Sequence, residues 1–317
     1  MNTTEQAAAI AAAENAVRAQ PADCAAFEAL GHAYFEADCL DKAMTAYQRA
    51  IELNPATAEA YNGIGHIHYR SGSPQPAIDA YEQGIANDPH YLYCYYGLGM
   101  LYAAKLGEYE CAIGAFERGL AANPGDPFLT ANLGSTYARA GQIGKAVEIL
   151  EQVAKLNPNQ PFAYGWLSLL YLHLHKFDEA ERACRREIEI EEEASSHRLL
   201  GYIYHALDRN EEAIAELERA IQLDPRDYEA RGALAKVYRV TGDLAAGELH
   251  YNAAREMARQ DDEYGQACFH AVSGNVALAL RLLETGLAKG QVQPGWIRID
   301  PEFAFIQDEP RFQALIR

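Results

Sequence analysis

An all-α chain built as a solenoid of stacked helical hairpins is predicted by three observations. Glycine recurs at one phase: Gly31, Gly65 and Gly99 are 34 residues apart, Gly134 follows after 35, and Gly201 lies 67 further on, two more steps of nearly that length. Three residues after each stands Tyr34, His68, Tyr102, Tyr137 or Tyr204, and twelve or thirteen after stands Ala43, Ala77, Ala112, Ala146 or Ala213. Each unit then closes on Tyr47, Tyr81, Phe116, Leu150 or Leu217, followed by Pro55, Pro89, Pro124, Pro158 or Pro225. A period of this length marks a repeated supersecondary unit that buries its apolar face only against its neighbours.

One unit, residues 24–57, illustrates the physics. Phe27, Leu30, Gly31 and Tyr34 fall at i, i+3, i+4 and i+7, one face of a helix, and Ala43, Tyr47 and Ala50 make a similar face on a second helix. Pro55 ends the second helix, and Asn-Pro or Asp-Pro performs the same task at Asn54, Asp88, Asn123, Asn157 and Asp224. An interior helical glycine costs about 1 kcal/mol relative to alanine, so its reuse at one phase implies close packing.

These residues resemble the tetratricopeptide repeat family. The resemblance implies a right-handed superhelix of eight repeats (24–57, 58–91, 92–126, 127–160, 161–193, 194–227, 228–259 and 260–293), forming one elongated domain over residues 1–317. Ser168, Ala235 and Ala267 stand at the glycine position in the fifth, seventh and eighth. Residues 3–20 read as a lone N-terminal half-repeat with Ala9, Ala13 and Ala16 in phase and Thr3 and Gln6 as a capping box. The end, DPEFAFIQDEPRFQALIR, is similar to the closing element of bacterial members, so residues 294–317 are expected to cap the last pair with Phe303, Phe305, Phe312 and Leu315.

No stretch approaches the ~20 apolar residues of a membrane span. The alanine run from Ala7 lacks a basic start and is followed by Glu14, which points to a helix rather than a secretory signal. The six cysteines show no CxxC spacing and are expected to be buried free thiols in a reducing cytoplasm. A formal net charge of −18 repels phosphate backbones, which argues against nucleic acid as a partner.

The family resemblance further implies that the first helix of each pair lines a concave groove. Carried onto this chain, the partner-binding positions are His32, Phe35, Asn62, His66, Tyr69 and Arg70, then Tyr93, Tyr96, Met100 and Phe128. They continue with Arg139, Phe162, Leu169 and His173, and end with Arg198, Tyr202, His205, Lys236 and Arg239. Glu28, Glu36, Glu59 and Glu229 also fall there, so the groove is nearly balanced in charge while the chain is acidic. Tyr93, Tyr96, Phe128 and Phe162 are expected to form an exposed apolar patch, and the later basic residues to favour acidic residues in the bound segment. The Lys/Asn/Arg clamp with which some family members hold acidic chaperone tails is absent: Glu28, His32, Gly63, Tyr93 and Gly97 stand there.

Chemistry finds no foothold. His66 and His68, like His173 and His175, are spaced i, i+2, which points them to different sides of a helix, so no metal site is expected. No phosphate-binding glycine loop or nucleophile motif occurs, so no catalytic residue and no cofactor is assigned. The expectation is a cytoplasmic, non-enzymatic scaffold, monomeric rather than oligomeric, that binds an extended or helical segment of another protein. The alternative is a regulatory or assembly subunit docking through its convex face or its ends. Glu187 stands where other units have a small residue and Glu192 where they have proline, and the step from Ser168 to Gly201 is 33 residues. A weak junction between the fifth and sixth units, with Glu187 seeking Arg182 or Arg198, is therefore expected.

Overall fold

The computed structural model describes residues 3–316, with side chains from residue 5. It is 79% helical, with no strand among the described residues. The described residues fall into two compact units that divide between Leu133 and Gly134.

In the first unit a lone helix, α1 (Thr3–Ala19), precedes the hairpins α2 (Cys24–Glu36) with α3 (Leu40–Leu53), α4 (Ala58–Arg70) with α5 (Pro74–Asn87), and α6 (Leu92–Met100) with α7 (Tyr109–Ala122). The α1 surface packed on α2 is Ile10, Ala13 and Val17 against Leu30, Ala33 and Tyr34. Ala16, expected in that face, is exposed. The Thr3 side chain of the anticipated capping box lies outside the described side chains, and Gln6 instead donates to the Glu36 carbonyl at 3.0 Å.

The α8 helix (Pro127–Arg139) runs across the division. The second unit continues with α9 (Ile143–Leu156), then α10 (Pro161–His173) with α11 (Phe177–Ile190), and α12 (Ala194–Ala206) with α13 (Asn210–Leu223). The hairpins α14 (Tyr228–Thr241) with α15 (Leu244–Ala258) and α16 (Glu263–Val272) with α17 (Val276–Ala288) follow, and the C-terminal segment begins with the short α18 (Pro294–Ile297).

Each hairpin turns on one residue with positive φ: Asp38, Gly72, Gly107, Gly141, His175, Asp208, Gly242 and Gly274. The recurring glycines have the packing role that their phase implied. A Cβ at Gly31 would stand 2.7 Å from the Tyr47 ring, at Gly65 2.4 Å from Tyr81, at Gly99 2.4 Å from Phe116, at Gly134 2.8 Å from Leu150 and at Gly201 2.7 Å from Leu217. The closing residue of each unit thus fills the notch left by that unit's own glycine. Tyr47 and Tyr81 also meet Gly63 and Gly97 on the following hairpin, which ties neighbours together.

The extra residue between Gly99 and Ala112 is absorbed by a π-helical stretch, Leu101–Leu106, ending at Gly107 with φ 69°. The missing residue near 190 has another origin. Helix α11 has 14 residues, as do α3, α5, α7 and α9. The connection to α12 is three residues (191–193) where other units use four, such as 54–57 and 224–227. Glu187 finds no cation among the described residues, contrary to expectation: Arg182 is exposed and Arg198 pairs with other carboxylates. Its carboxyl bonds Ser196 and rests on Gly165. The thiols are also less uniform than expected, since Cys94, Cys184 and Cys268 are buried but Cys111 is exposed.

Candidate ligand-binding surfaces

In the first unit, α2, α4 and α6 place successive aromatic side chains along one face. Phe35 lies 6.2 Å from His66 between ring centroids, and the Arg70 guanidinium covers Phe35 at 4.8 Å while donating to Asp38 at 2.6 Å. His66 Nδ1 is 3.2 Å from the Tyr81 hydroxyl, and burial pushes its imidazole below the ordinary histidine range. A cavity of about 240 Å³ opens here, lined by Phe35, Glu59, Asn62, His66 and Tyr91. Burial, then the nearby Glu28, raises the Glu59 carboxyl, and the buried Asn62 Oδ1 has no hydrogen-bond partner.

Further along this unit, His32 is exposed, Met100 is half-buried and Tyr69 lies beneath Lys105 at 5.2 Å. Tyr93 is 51% and Phe128 37% exposed, large values for aromatic rings. Tyr96 packs on Phe128 with centroids 4.8 Å apart, and Tyr93 on Tyr91 at 5.5 Å. The first unit therefore carries a partly open aromatic surface beside a polar cavity.

The second unit differs because its C-terminal segment, residues 294–316, does two jobs. Phe303, Ile306 and Phe312 pack with Ala267, Ala271, Leu280 and Leu283 of the last hairpin. Phe305 turns the other way, onto Tyr202 and His205 at 5.6 Å each, with Lys236 Nζ 3.8 Å above its ring. Burial lowers the Lys236 pKa to about 8. Gln307 Nε2 lies 2.7 Å from His175 Nε2, and His173 and Leu169 line a small gap against the same segment.

The positions expected to form the later groove are thus largely covered by the chain itself. Tyr202 is 1% exposed. Arg198 binds Asp227 at 2.7 Å and Glu302 at 3.2 Å. Arg139 lies over Trp166 and Trp296, at 5.9 and 5.3 Å. Arg239 faces Tyr251 of α15 at 4.6 Å. Phe162 stays 40% exposed beside Trp166. Sequence reasoning passed over Trp166 and Trp296, which pack edge to face at 6.1 Å. The signal was present: they are the only two tryptophans in the chain, and Trp166 follows Phe162 by one helical turn.

The model of the cilia and flagella-associated protein 70 C-terminal domain matches residues 56–271, and that of the TPR repeat matches residues 31–72. The chain belongs to the tetratricopeptide repeat family. Among solved structures, it is similar to PilW, a type IV pilus biogenesis factor, at 18% identity and TM-score 0.56, over 64% of this chain and 94% of that one. Similarity to the APC/C hetero-tetramer Cut9-Hcn1 gives 18% identity and TM-score 0.60, over 88% of this chain and 52% of the other. A tetratricopeptide repeat protein from Parabacteroides merdae matches at 18% and 0.58, over 79% and 96%. At these identities the likeness establishes the fold.

Proposed function

We propose that the protein is a non-enzymatic interaction scaffold whose first unit holds an extended or helical segment of a partner protein across α2, α4 and α6. The observation that carries this reading is the exposed pair Tyr93 and Phe128, with the half-buried Tyr96 packed on Phe128, beside the polar cavity at Asn62 and His66. Rigid aromatic rings supply large apolar area at low entropic cost, and polar groups within a cavity fix register. Cut9, crystallised with Hcn1, is a protein of this fold found in a hetero-oligomer, which lends the reading support. The segment should carry apolar anchors. Of the basic positions expected to favour acidic residues in the segment, Arg198 is already ion-paired within the chain, while Arg139, Lys236 and Arg239 face aromatic rings and keep their charge.

The alternative, docking through the outer surface, is favoured by Val240, Leu244 and Leu249, which are exposed around the α14–α15 turn. Photoreactive benzoylphenylalanine placed at Tyr93 and, separately, at Leu249 distinguishes the two. Covalent capture of a partner at position 93 alone supports the aromatic face, and capture at 249 alone overturns it.

A further inference from the structure

Within the second unit a cavity of about 320 Å³ lies between α10, α12 and the C-terminal segment, a volume within the range of small-molecule pockets. Its walls are apolar and aromatic: Phe162, Trp166, Leu169, Leu199 and Trp296. Three polar side chains reach it with bonding capacity to spare. The Tyr202 hydroxyl, on a side chain that is 1% exposed, has no hydrogen-bond partner among the described residues. Glu302, 7% exposed, leaves Oε1 without a hydrogen bond, although Arg198 Nη2 stands 3.2 Å away. Glu187 is a carboxyl bonded to Ser196 with no cation beside it among the described residues.

Such orphaned groups are costly in a folded protein unless something else satisfies them. Charge decides what that is. The cavity is lined by two carboxyls, Glu187 and Glu302, and one cation, Arg198, and Arg198 is already matched by Asp227 behind it at 2.7 Å. An anionic ligand would face uncompensated acid. A cationic one would complete the balance, and the Trp166 and Trp296 rings already accept the Arg139 guanidinium on their faces. Gly165 belongs to the same design: a Cβ there would meet Glu187 Oε1 at 2.5 Å, so the glycine keeps space for the carboxyl.

We propose that this cavity binds an ammonium or guanidinium group carried on an apolar stem, with Glu187 as counter-ion, the Tyr202 hydroxyl accepting an N–H, and the stem lying along Phe162, Trp166 and Trp296. The site is independent of the aromatic face of the first unit, and each stands or falls separately.

Because both tryptophans of the chain line this cavity, intrinsic fluorescence of the full-length protein reports its occupancy directly. Phenethylammonium should shift the emission saturably, with hydrocinnamate and phenethyl alcohol at least about tenfold weaker, since only the ammonium makes a charge-assisted hydrogen bond. A lysine-centred tripeptide with blocked termini separates the sources: tighter binding than phenethylammonium assigns a protein side chain and weaker binding a free amine, and either result supports the site. Glu187→Gln should weaken the cation at least about tenfold, and Tyr202→Phe, which preserves packing, about fivefold. The proposal is overturned if neither cation saturates, if hydrocinnamate binds as well as phenethylammonium, or if either folded variant binds phenethylammonium as the wild type does.

Discussion

Replacing Gly65 by alanine sets two effects of opposite sign against each other. In an open helix alanine is favoured over glycine by about 1 kcal/mol. At Gly65 the new Cβ would stand 2.4 Å from Tyr81 Cε1, an ångström inside ordinary contact. The ring has no room to retreat, because Tyr81 is fully buried and the Gly97 position presses on the same ring edge at 2.5 Å. Overpacking costs about 1–3 kcal/mol, and a ring wedged between two helices belongs near the upper end, leaving a net loss of about 1–2 kcal/mol. Gly114 on α7 is the control: nothing lies within 4 Å of its Cβ position, so alanine there should stabilise by up to about 1 kcal/mol. The assay is urea unfolding followed by circular dichroism, together with hydrogen exchange in α4 to α6, because a linear array need not unfold in one step. A Gly65→Ala protein as stable as wild type would refute the packing account of the repeated glycine.

The Glu187 carboxyl, pushed up to about 7 by burial from an ordinary 4.5, makes the folded state bind an extra proton between those values. Stability should therefore fall as pH rises through that window, with the full penalty present above about 7. Glu187→Gln should be more stable than wild type at pH 8 by about 2 kcal/mol, discounted for partial exposure, and the advantage should vanish below pH 5. Glu229, also raised to about 7, titrates in both proteins, so their difference isolates Glu187, and superimposable pH profiles would contradict this. Phe305→Ala removes the ring packed on Tyr202, His205 and Lys236. It should cost about 2 kcal/mol, accelerate hydrogen exchange across residues 294–316 and return the Lys236 pKa toward the ordinary lysine value. Unchanged exchange there would show that Phe305 does not hold the segment.

The hairpin architecture was legible because it is local. Glycine notch, closing ring and terminal proline lie within one period and repeat, so each occurrence supports the others. The N-terminal helix was legible in kind, but an alanine-rich stretch offers several weakly apolar faces, and tertiary packing chose the one through Ile10 and Val17 over Ala16. The return of Phe305 and Trp296 onto α10, α12 and α14 was not legible, because it joins residues far apart in the chain and leaves no period. Arg198 was not legible for the same reason: it looks free in its helix and is neutralised by Asp227 and Glu302, which are 29 and 104 positions away. Of the four aromatics that the family resemblance placed at the surface, Tyr93, Phe128 and Phe162 are exposed, and Tyr96 is half-buried because its ring packs on Phe128.

The central claim is that the aromatic face of the first unit holds the partner segment. Its most direct test selects a binding peptide from a displayed library against the wild-type protein, then measures its dissociation constant for two double variants. Tyr96→Ala with Phe128→Ala removes a contacting pair of rings, and Leu244→Ser with Leu249→Ser alters the exposed outer surface. Truncating a hot-spot residue costs about 2 kcal/mol or more, so the aromatic pair should weaken binding well over tenfold while the outer pair leaves it within about twofold. Unchanged affinity in the folded aromatic variant, with loss in the outer one, would contradict the claim.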